Sequence, residues 1–536
     1  MGNLSDSIKK LVEINKTASQ KNLPQSETEV IIVDEVAARV ASFYERIRGI
    51  VDWREEHVLR KTAIERVLKR RMLFKKGLLL ESDGEDASEQ FLKELVRGGH
   101  FPNGTIPISK IEETRNVINK YVFILEKGLV SGGKDKAKLE NWFMQMASYE
   151  IEITLDPHEK EIGLIMFMTE DLLGRIKLRE EDEKIIGEDE LKLQVHVAVH
   201  RALFKMDDAV VSYHLFERLY RDWHTPSEPT LLHVAAHILE VRDVITRTLK
   251  HPLAENFYKA AERYDTPYLI LGDVISKNPQ GFEEVAEVPD KLDVKINEAY
   301  KARLARLKGR IRRAAFYSTV SIFLTKVLTV LALELPIDKY LQGSFNYTAI
   351  SVSVLVPPLL MVFLINTVKV TSNDNFEKVK GEVKALISGG ERSAHYVALP
   401  KRQRFFAKAF FKLFYLASFL LSFGLISWFL WHFSFGPFSI IVFLFFISLV
   451  AFAGTKIQQR GRELMIGEVK TGFIFGMLDF FFLPVIEVGR WSSRQLVRYN
   501  AIIFIFNFLI ETPIQVFVEF FEQWRTFLKE KKEEIH

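Results

Sequence analysis

The chain of 536 residues contains no cysteine. Disulfide bonds, thiolate nucleophiles, iron–sulfur clusters and cysteine-type zinc sites are therefore excluded, because each of them requires cysteine. The first thirty residues also lack the continuous apolar run of a secretory signal. We therefore expect the N-terminus to stay in the cytosol.

The first part of the chain has no excess of basic over acidic residues. Residues 1–300 contain 43 Lys and Arg against 53 Asp and Glu, a net charge of −10, whereas residues 301–536 contain 30 against 16, a net charge of +14. An acidic segment repels phosphates, so no nucleic acid partner is expected. Opposed charges of this kind predict a soluble acidic part, followed by a part whose basic flanks face the anionic lipid of a bilayer.

Apolar residues recur at spacings of three and four between residues 29 and 249, as amphipathic helices require. This pattern predicts a soluble α-helical domain over residues 29–275, preceded by a flexible polar tail at residues 1–28. The alternating segment Glu150–Thr154 has no matching strand and is assigned to a helix end or turn. The predicted helices cover residues 29–76 with a break near Gly49, 87–96, 108–127, 136–149, 159–178, 189–221 and 229–249.

An acidic linker and a basic juxtamembrane helix are predicted over residues 276–313, and a four-span membrane domain over residues 314–470. A span requires about 20 mostly apolar residues. Lys and Arg concentrate before the first span and after the second and fourth, and basic loops of this kind stay in the cytosol. We therefore predict a multi-pass protein of the cell membrane with both termini cytosolic. The predicted spans are residues 314–335, 347–368, 413–433 and 437–455.

Two further apolar segments, residues 472–488 and 501–521, are interrupted by acidic residues and proline. If both crossed the bilayer, the arginine-rich loop between them would lie outside, against the usual distribution of positive charge. We predict that residues 471–536 form interfacial amphipathic helices and a charged tail, with a re-entrant pair as the alternative. The predicted fold class is therefore all-α, a cytosolic helical domain followed by a polytopic helical membrane domain.

Lys326 lies in the middle of the first predicted span, where an ionised side chain is costly unless it faces a partner or water. Candidate counter-ions are Asp479, Glu487 and Glu511 in the later apolar segments. Glu334 is a further intramembrane acid, nearer the outer end of the span. Such a set can serve an ion or substrate path, or it can be a structural ion pair that fixes helix packing.

Pro357 and Pro358 lie midway along the second predicted span. Each proline lacks the N–H that a helix uses for its backbone hydrogen bond, so we expect a kink at this point. Kinks of this kind occur both in transporters and in passive spans.

Histidines form two pairs at four-residue spacing, His196 with His200 and His233 with His237. This spacing places two imidazoles on one helical face, where they can hold one metal ion, and two such helices can supply four ligands. Neither pair encloses the glutamate of a zinc protease, and Val and Ala surround both pairs. Core or surface histidines are the ordinary interpretation, so no metal or other cofactor is predicted.

The segment Gly128–Lys134 has the spacing of a phosphate-binding loop. However, Asp135 stands where a Ser or Thr would bind the metal, and a carboxylate there would repel phosphate. The acidic segment Ile31–Glu35 precedes this loop instead of following it. The glycines are therefore interpreted as a turn, and no nucleotide is expected.

Three functional hypotheses follow. The first is a non-catalytic, membrane-anchored binding or scaffold protein that holds a cytosolic protein partner near the bilayer. The second is a transporter or channel that uses Lys326 and nearby acids. The third is a metal-dependent membrane-bound enzyme that uses the histidine pairs. The GxSxG and HExxH patterns do not occur in the sequence, which lowers the expectation of an enzyme.

Overall fold

The protein, known here as a computed structural model, is predominantly helical and forms two compact units. The first unit contains residues 1–296, 380–399 and 511–536, and the second contains residues 297–379 and 400–510. The residues that the structure describes are 4–21, 29–33, 56–75, 87–128, 134–178, 186–342, 346–368, 373–390, 395–397, 405–466, 473–498 and single positions between 520 and 531.

Short amphipathic helices build the first unit around a core of large aromatic side chains, among them the fully buried Trp223, Tyr213 and Phe216. The helices are α1 Asp6–Lys21, α2 Glu56–Lys75, α3 Ala87–Arg97, α4 Ser109–Lys127, α5 Lys134–Leu155, α6 Glu159–Arg175, α7 Glu188–Phe204, α8 Asp208–Leu219, α9 Glu228–Leu249, α10 Ala254–Glu262, α11 Asp265–Lys277 and α12 Phe282–Glu287. Residues 150–154 are helical, because α5 continues to Leu155.

Helix α1 lies where a flexible polar tail was expected. Its apolar residues Ile8, Leu11 and Val12 share one helical face and are at most 1% exposed. They pack against α6, where Gly163 leaves room for the Ile14 side chain. The expectation is therefore corrected for residues 6–21, because the narrow apolar stripe is buried by a distant part of the chain.

Residues 29–33 are extended and not helical, which corrects the predicted start of the first long helix. The Ile31 N–H donates to the carbonyl of Ile106 (2.8 Å), and the Ile108 N–H donates to the carbonyl of Glu29 (2.9 Å). A run of β-branched side chains favours this extended pairing. The predicted break near Gly49 lies outside the described residues.

The single helix predicted over residues 189–221 is two helices, α7 and α8. Lys205 adopts a left-handed conformation (φ 51°) between them. Asp207 then caps α8, since its carboxylate accepts hydrogen bonds from the N–H groups of Ala209 and Val210. Helices α10 and α11 were not predicted, and α12 lies inside the expected linker.

A two-stranded parallel sheet joins distant parts of the first unit. Strand β1, Ile176–Leu178, pairs with β2, His395–Val397, in the register Ile176 to His395. Residues 369–412 lie between the second and third predicted spans, inside the predicted membrane domain at residues 314–470. Residues 380–399 belong instead to the first unit.

The second unit contains the long apolar helices. The helices after residue 288 are α13 Pro289–Thr329, a π-helical segment Val330–Glu334, α14 Leu335–Gln342, α15 Tyr347–Asn366, α16 Asn373–Ser388, α17 Phe405–His432, α18 Pro437–Gly461 and α19 Phe473–Arg498. Among the described residues, four helical stretches are long and apolar enough to cross a membrane, namely Pro289–Tyr340, Tyr347–Asn366, Lys412–His432 and Pro437–Gly461. The predicted all-α fold with a four-span membrane domain is confirmed at this level.

Helix α19 covers the first of the two interrupted apolar segments and runs without a break through Pro484. It packs against α17 and α18, where Val485 is 1% exposed. The Ser422 hydroxyl of α17 donates to the carbonyl of Phe481 (2.7 Å). The interfacial or re-entrant position of α19 stays a prediction. Most of the chain after α19 lies outside the described residues.

Candidate functional site

The π-helical segment determines which acid faces Lys326. In an α-helix of 3.6 residues per turn, side chains eight positions apart differ by about 80° around the helix axis. A π segment accommodates an extra residue within its turn. The segment Val330–Glu334 thereby removes most of this difference, and Glu334 turns to the same side as Lys326.

Lys326 and Glu334 form a salt bridge that is buried within the second unit. Lys326 is 0% exposed and Glu334 is 2% exposed. The second carboxylate oxygen of Glu334 accepts a hydrogen bond from the Ser353 hydroxyl of α15 (3.2 Å). The Lys326 ammonium also lies 5.0 Å from the ring centre of Phe446 in α18, within range of a cation–π interaction.

Of the expected counter-ions of Lys326, Glu487 is corrected, whereas Asp479 and Glu511 stay predictions. Lys326 pairs with Glu334, which the sequence analysis placed separately near the outer end of the span. Glu487 pairs with Arg490 on the next turn of α19 (2.8 Å). The side chain of Asp479 and the whole of Glu511 lie outside the described residues.

A small polar cavity of about 10 Å³ lies beside Glu334. Asp338, one turn further along α14, accepts a hydrogen bond from the Ser439 hydroxyl through Oδ2 (2.7 Å). Its Oδ1 is buried and has no hydrogen-bond partner. A volume of about 10–15 Å³ holds roughly one water molecule. The cavity therefore has room for about one water molecule beside Glu334 and Asp338.

Asn346 positions the wall of this cavity. Its side-chain carbonyl caps α15 by accepting a hydrogen bond from the Ala349 N–H (3.1 Å). Its amide donates to the carbonyls of Phe433 and Ser434 in the turn between α17 and α18 (3.3 and 3.2 Å). The start of α15 is thus joined to that turn by one polar side chain.

Pro357 and Pro358 are buried inside α15, which remains one helix from Tyr347 to Asn366. Because Pro357 has no N–H, the carbonyl of Ser353 lacks its helical donor. This is the same serine whose hydroxyl bonds to Glu334. The prolines therefore lie one turn from the ion pair, and the predicted kink stays a prediction.

The histidines of the first unit group differently from the predicted two pairs. The rings of His196 and His200 lie 4.2 Å apart, and His200 lies 4.7 Å from His214 of α8. His233 and His237 stack on each other along α9, with ring centres 4.5 Å apart. Across the described residues, no group of three or more His, Asp or Glu is arranged to hold a metal ion.

Burial sets the charge state of the inner histidines. It lowers the pKa of His196 to about 4, and His214 and Arg218 act in the same direction. Burial also lowers the pKa of His200 well below its ordinary value. Both rings are therefore neutral near pH 7. The Tyr149 hydroxyl and His214 Nε2 share a hydrogen bond of 2.9 Å, so this cluster belongs to the packed core.

A buried ion pair that the sequence analysis missed joins α4 to α5. Lys120 pairs with Glu150, and Glu150 also accepts hydrogen bonds from the Tyr121 hydroxyl (2.8 Å) and the Trp223 indole (3.1 Å). Burial raises the pKa of Glu150 and lowers that of Lys120, while the ion pair opposes both shifts. Lys120 also donates to the backbone carbonyl of Trp223 (2.7 Å), and every partner belongs to the core, which gives the cluster a structural role. The signal available in the sequence was two acids, Glu150 and Glu152, in an otherwise mostly apolar stretch.

The turn predicted at Gly128–Lys134 stays a prediction for most of its residues. Gly128 ends α4 and Lys134 begins α5, and residues 129–133 lie outside the described residues.

The fold and the buried ion pair indicate a helical membrane protein with four candidate spans and a larger first unit. Comparisons of the chain with protein-family models, with curated proteins and with solved structures found no match.

Proposed function

We propose that the protein is a membrane-anchored binding protein whose acidic helical unit holds a cytosolic protein partner near the bilayer. Two features of the second unit favour an anchor. Lys326 and Glu334 neutralise each other, and the cavity beside them has room for about one water molecule. A charge pair of this kind fixes helix packing without requiring a transported ion.

The observation that carries the binding function is the outward face of α9. This helix of 22 residues buries four of them, Val234, Ala235, Ile238 and Ile245. Leu232, Leu239 and Val244 are instead 48%, 41% and 46% exposed.

Two acidic side chains and one basic side chain, Arg247, are exposed beside these apolar residues. Glu240 and Asp243 lie on the same exposed side of α9. The sequence up to residue 300 carries a net charge of −10. A partner that offers apolar side chains among basic ones would cover the apolar residues and pair with the acids.

A photo-crosslinking side chain at position 239 tests this function. In cells that express the full chain, we expect Leu239 replaced by a benzophenone amino acid to give a discrete cross-linked species of higher mass, because the partner covers this position. The matched control is Met166 on α6, which is 59% exposed. The same substitution at Met166 should give no discrete species.

Two results would contradict the proposal. The first is the absence of a discrete adduct at position 239 when the protein is expressed and membrane-bound. The second is an adduct at position 239 that persists after Leu232→Lys, because a positive charge at this exposed apolar position should repel a basic partner without unfolding α9.

The proposed orientation places both termini in the cytosol of a cell-membrane protein, because the basic loops flank the spans on one side. The absence of cysteine makes each introduced cysteine a unique label. In intact cells, Tyr340→Cys should react with a membrane-impermeant maleimide, and Gln459→Cys should react only after permeabilisation. The reverse pattern would contradict the orientation.

A transporter or channel is the second candidate, favoured by the buried Asp338 Oδ1 that has no hydrogen-bond partner beside Glu334. If this acid carries protons, proteoliposomes with the full chain should show proton flux above empty vesicles, and Asp338→Asn should reduce that flux. Lys339→Gln, at the next and exposed position, is the control. Equal flux in both variants and wild type would remove this role for Asp338.

The metal-dependent enzyme has no supporting ligand set among the described residues.

A further inference from the structure

The exposed face of α13 changes from basic to apolar within about one helical turn. Lys308, Arg312 and Arg313 are exposed on this face, and the rings of Phe316 and Tyr317 that follow are 64% and 37% exposed. The two rings contact each other edge to face, with ring centres 5.5 Å apart. This part of α13 therefore presents cations directly beside an apolar surface.

The buried face of α13 fixes the direction of the exposed one. Leu307, Ile311 and Ala315 are at most 5% exposed and belong to one apolar cluster with Met361 of α15 and Val450 of α18. Because these three residues of α13 are spaced by four positions, they form one row along the helix. The cations on the other side are therefore held pointing away from the interior of the second unit.

The positive charge of this face is not neutralised by the chain. No Asp or Glu occurs in the sequence between Glu298 and Glu334. Arg310 pairs with Glu463, just after α18, at 3.3 Å. Three exposed cations of α13 have no acidic partner in the part of the chain that the structure describes, namely Lys308, Arg312 and Arg313. An anionic ligand can therefore bind them without displacing an existing ion pair.

Lys308 and Arg312 are spaced to bind one phosphate group together. They are four residues apart, and side chains at this spacing are neighbours on the surface of a helix. A guanidinium pairs with two phosphate oxygens at once, and a lysine ammonium adds a further donor. Arg313 adds a third cation beside Arg312. Three cations favour a phosphate ligand that carries no ammonium group of its own.

The apolar surface beyond the cations favours a membrane lipid as the ligand. Phe316 follows Arg312 by four residues, and Val320 and Leu324 continue this row at 38% and 55% exposure. All three apolar residues belong to a helical stretch that is long and apolar enough to cross a membrane. A phospholipid carries its phosphate next to acyl chains, whereas free phosphate or a nucleic acid backbone has no apolar chain to cover this row.

We propose that Lys308, Arg312 and Arg313 bind the phosphate of an anionic glycerophospholipid, whose acyl chains lie along the row that begins at Phe316. The ligand is one lipid held at a defined place on α13, beyond the general attraction of basic loops to an anionic surface. The site rests on the proposed membrane anchor, because α13 must cross the bilayer. It is independent of the partner surface on α9, so either proposal can fail without the other.

Fluorescence quenching by brominated lipids tests the site in the full chain. Because the chain has no cysteine, Val320→Cys carries a single bimane label on the apolar row. The protein is placed in nanodiscs of equal parts phosphatidylcholine and phosphatidylglycerol, with bromine on the acyl chains of one lipid or the other. We expect phosphatidylglycerol to be enriched about fivefold or more next to the label, because the choline ammonium is repelled by the three cations. The matched control label is Phe363→Cys on α15, which is 63% exposed and should show no enrichment.

Charge variants distinguish a bound lipid from general attraction. Replacing Lys308, Arg312 and Arg313 together by glutamine should abolish the enrichment, and the fold should be unaffected because all three are exposed. Lys301→Gln removes an exposed cation about two turns earlier on α13 and should leave the enrichment unchanged. The proposal is overturned if the enrichment at position 320 is no greater than at position 363, if the triple variant retains it, or if Lys301→Gln abolishes it as fully as the triple variant does.

Discussion

Replacing Lys326 by methionine should lower the free energy of unfolding of the membrane helices by about 3–5 kcal/mol. Methionine has a similar length but leaves the carboxylate of Glu334 buried without its counter-ion. The Ser353 hydroxyl still donates to Glu334, but a neutral donor does not balance a full charge. Denaturation of the full chain in mixed detergent micelles, followed by helical circular dichroism, measures the loss.

A double-mutant cycle separates the contribution of the ion pair to stability from the effect of replacing the lysine itself. Adding Glu334→Gln to Lys326→Met should recover most of the stability, because no unpaired charge then remains buried. Lys339→Met, at an exposed position of α14, is the matched control and should change stability by about 0.5 kcal/mol or less. A Lys326→Met variant as stable as this control would show that the salt bridge does not hold the helices together.

The first unit should lose stability as the pH falls from about 7 to about 5, with a loss of about 2 kcal/mol from His196 alone. Burial lowers the pKa of His196 to about 4 in the folded protein, whereas the unfolded chain has the ordinary histidine pKa of about 6.5. The unfolded chain therefore binds more protons across this window. The stabilisation is fully present above about pH 6.5 and is lost as the pH approaches 4.

The pH dependence is measured by thermal unfolding of the full chain in a series of buffers. His196→Gln should flatten the decrease between pH 7 and pH 5, since glutamine does not titrate. His237→Gln, at an exposed position of α9, should follow the wild-type curve. An unchanged slope in His196→Gln would mean that His196 is not buried as a neutral ring.

His158 has the opposite effect on the pH dependence of stability. It contributes to a loss of stability as the pH rises. Although burial alone would lower it, the pKa of His158 is raised because its Nε2 lies 3.3 Å from the buried carboxylate of Glu152. Its stabilisation is present below the unfolded pKa of about 6.5 and is lost as the pH rises through the folded pKa. We therefore expect the steepest loss on the acid side, where His196 and His200 both titrate unfavourably.

Hydropathy alone was sufficient to predict the four spans. Stretches such as Tyr347–Asn366 are recognisable without tertiary information, because no soluble core requires about twenty successive apolar residues. The amphipathic helices α3, α4 and α9 were also predicted within a few residues of their ends. Helix α1 was not predicted. Ile8, Leu11 and Val12 have helical spacing, but only the packing of α1 against α6 shows that this narrow apolar stripe is buried.

The sequence by itself determined that Lys326 must have a partner, since hydrocarbon does not tolerate an isolated charge. It did not determine which acid that partner is, because a π-helical turn alters the helical phase between Lys326 and Glu334. The exposed face of α13 likewise depends on Met361 and Val450, which pack against the other face from far along the chain. Periodicity and hydropathy report local preferences, whereas sites such as these depend on contacts between distant segments, which only the tertiary structure decides.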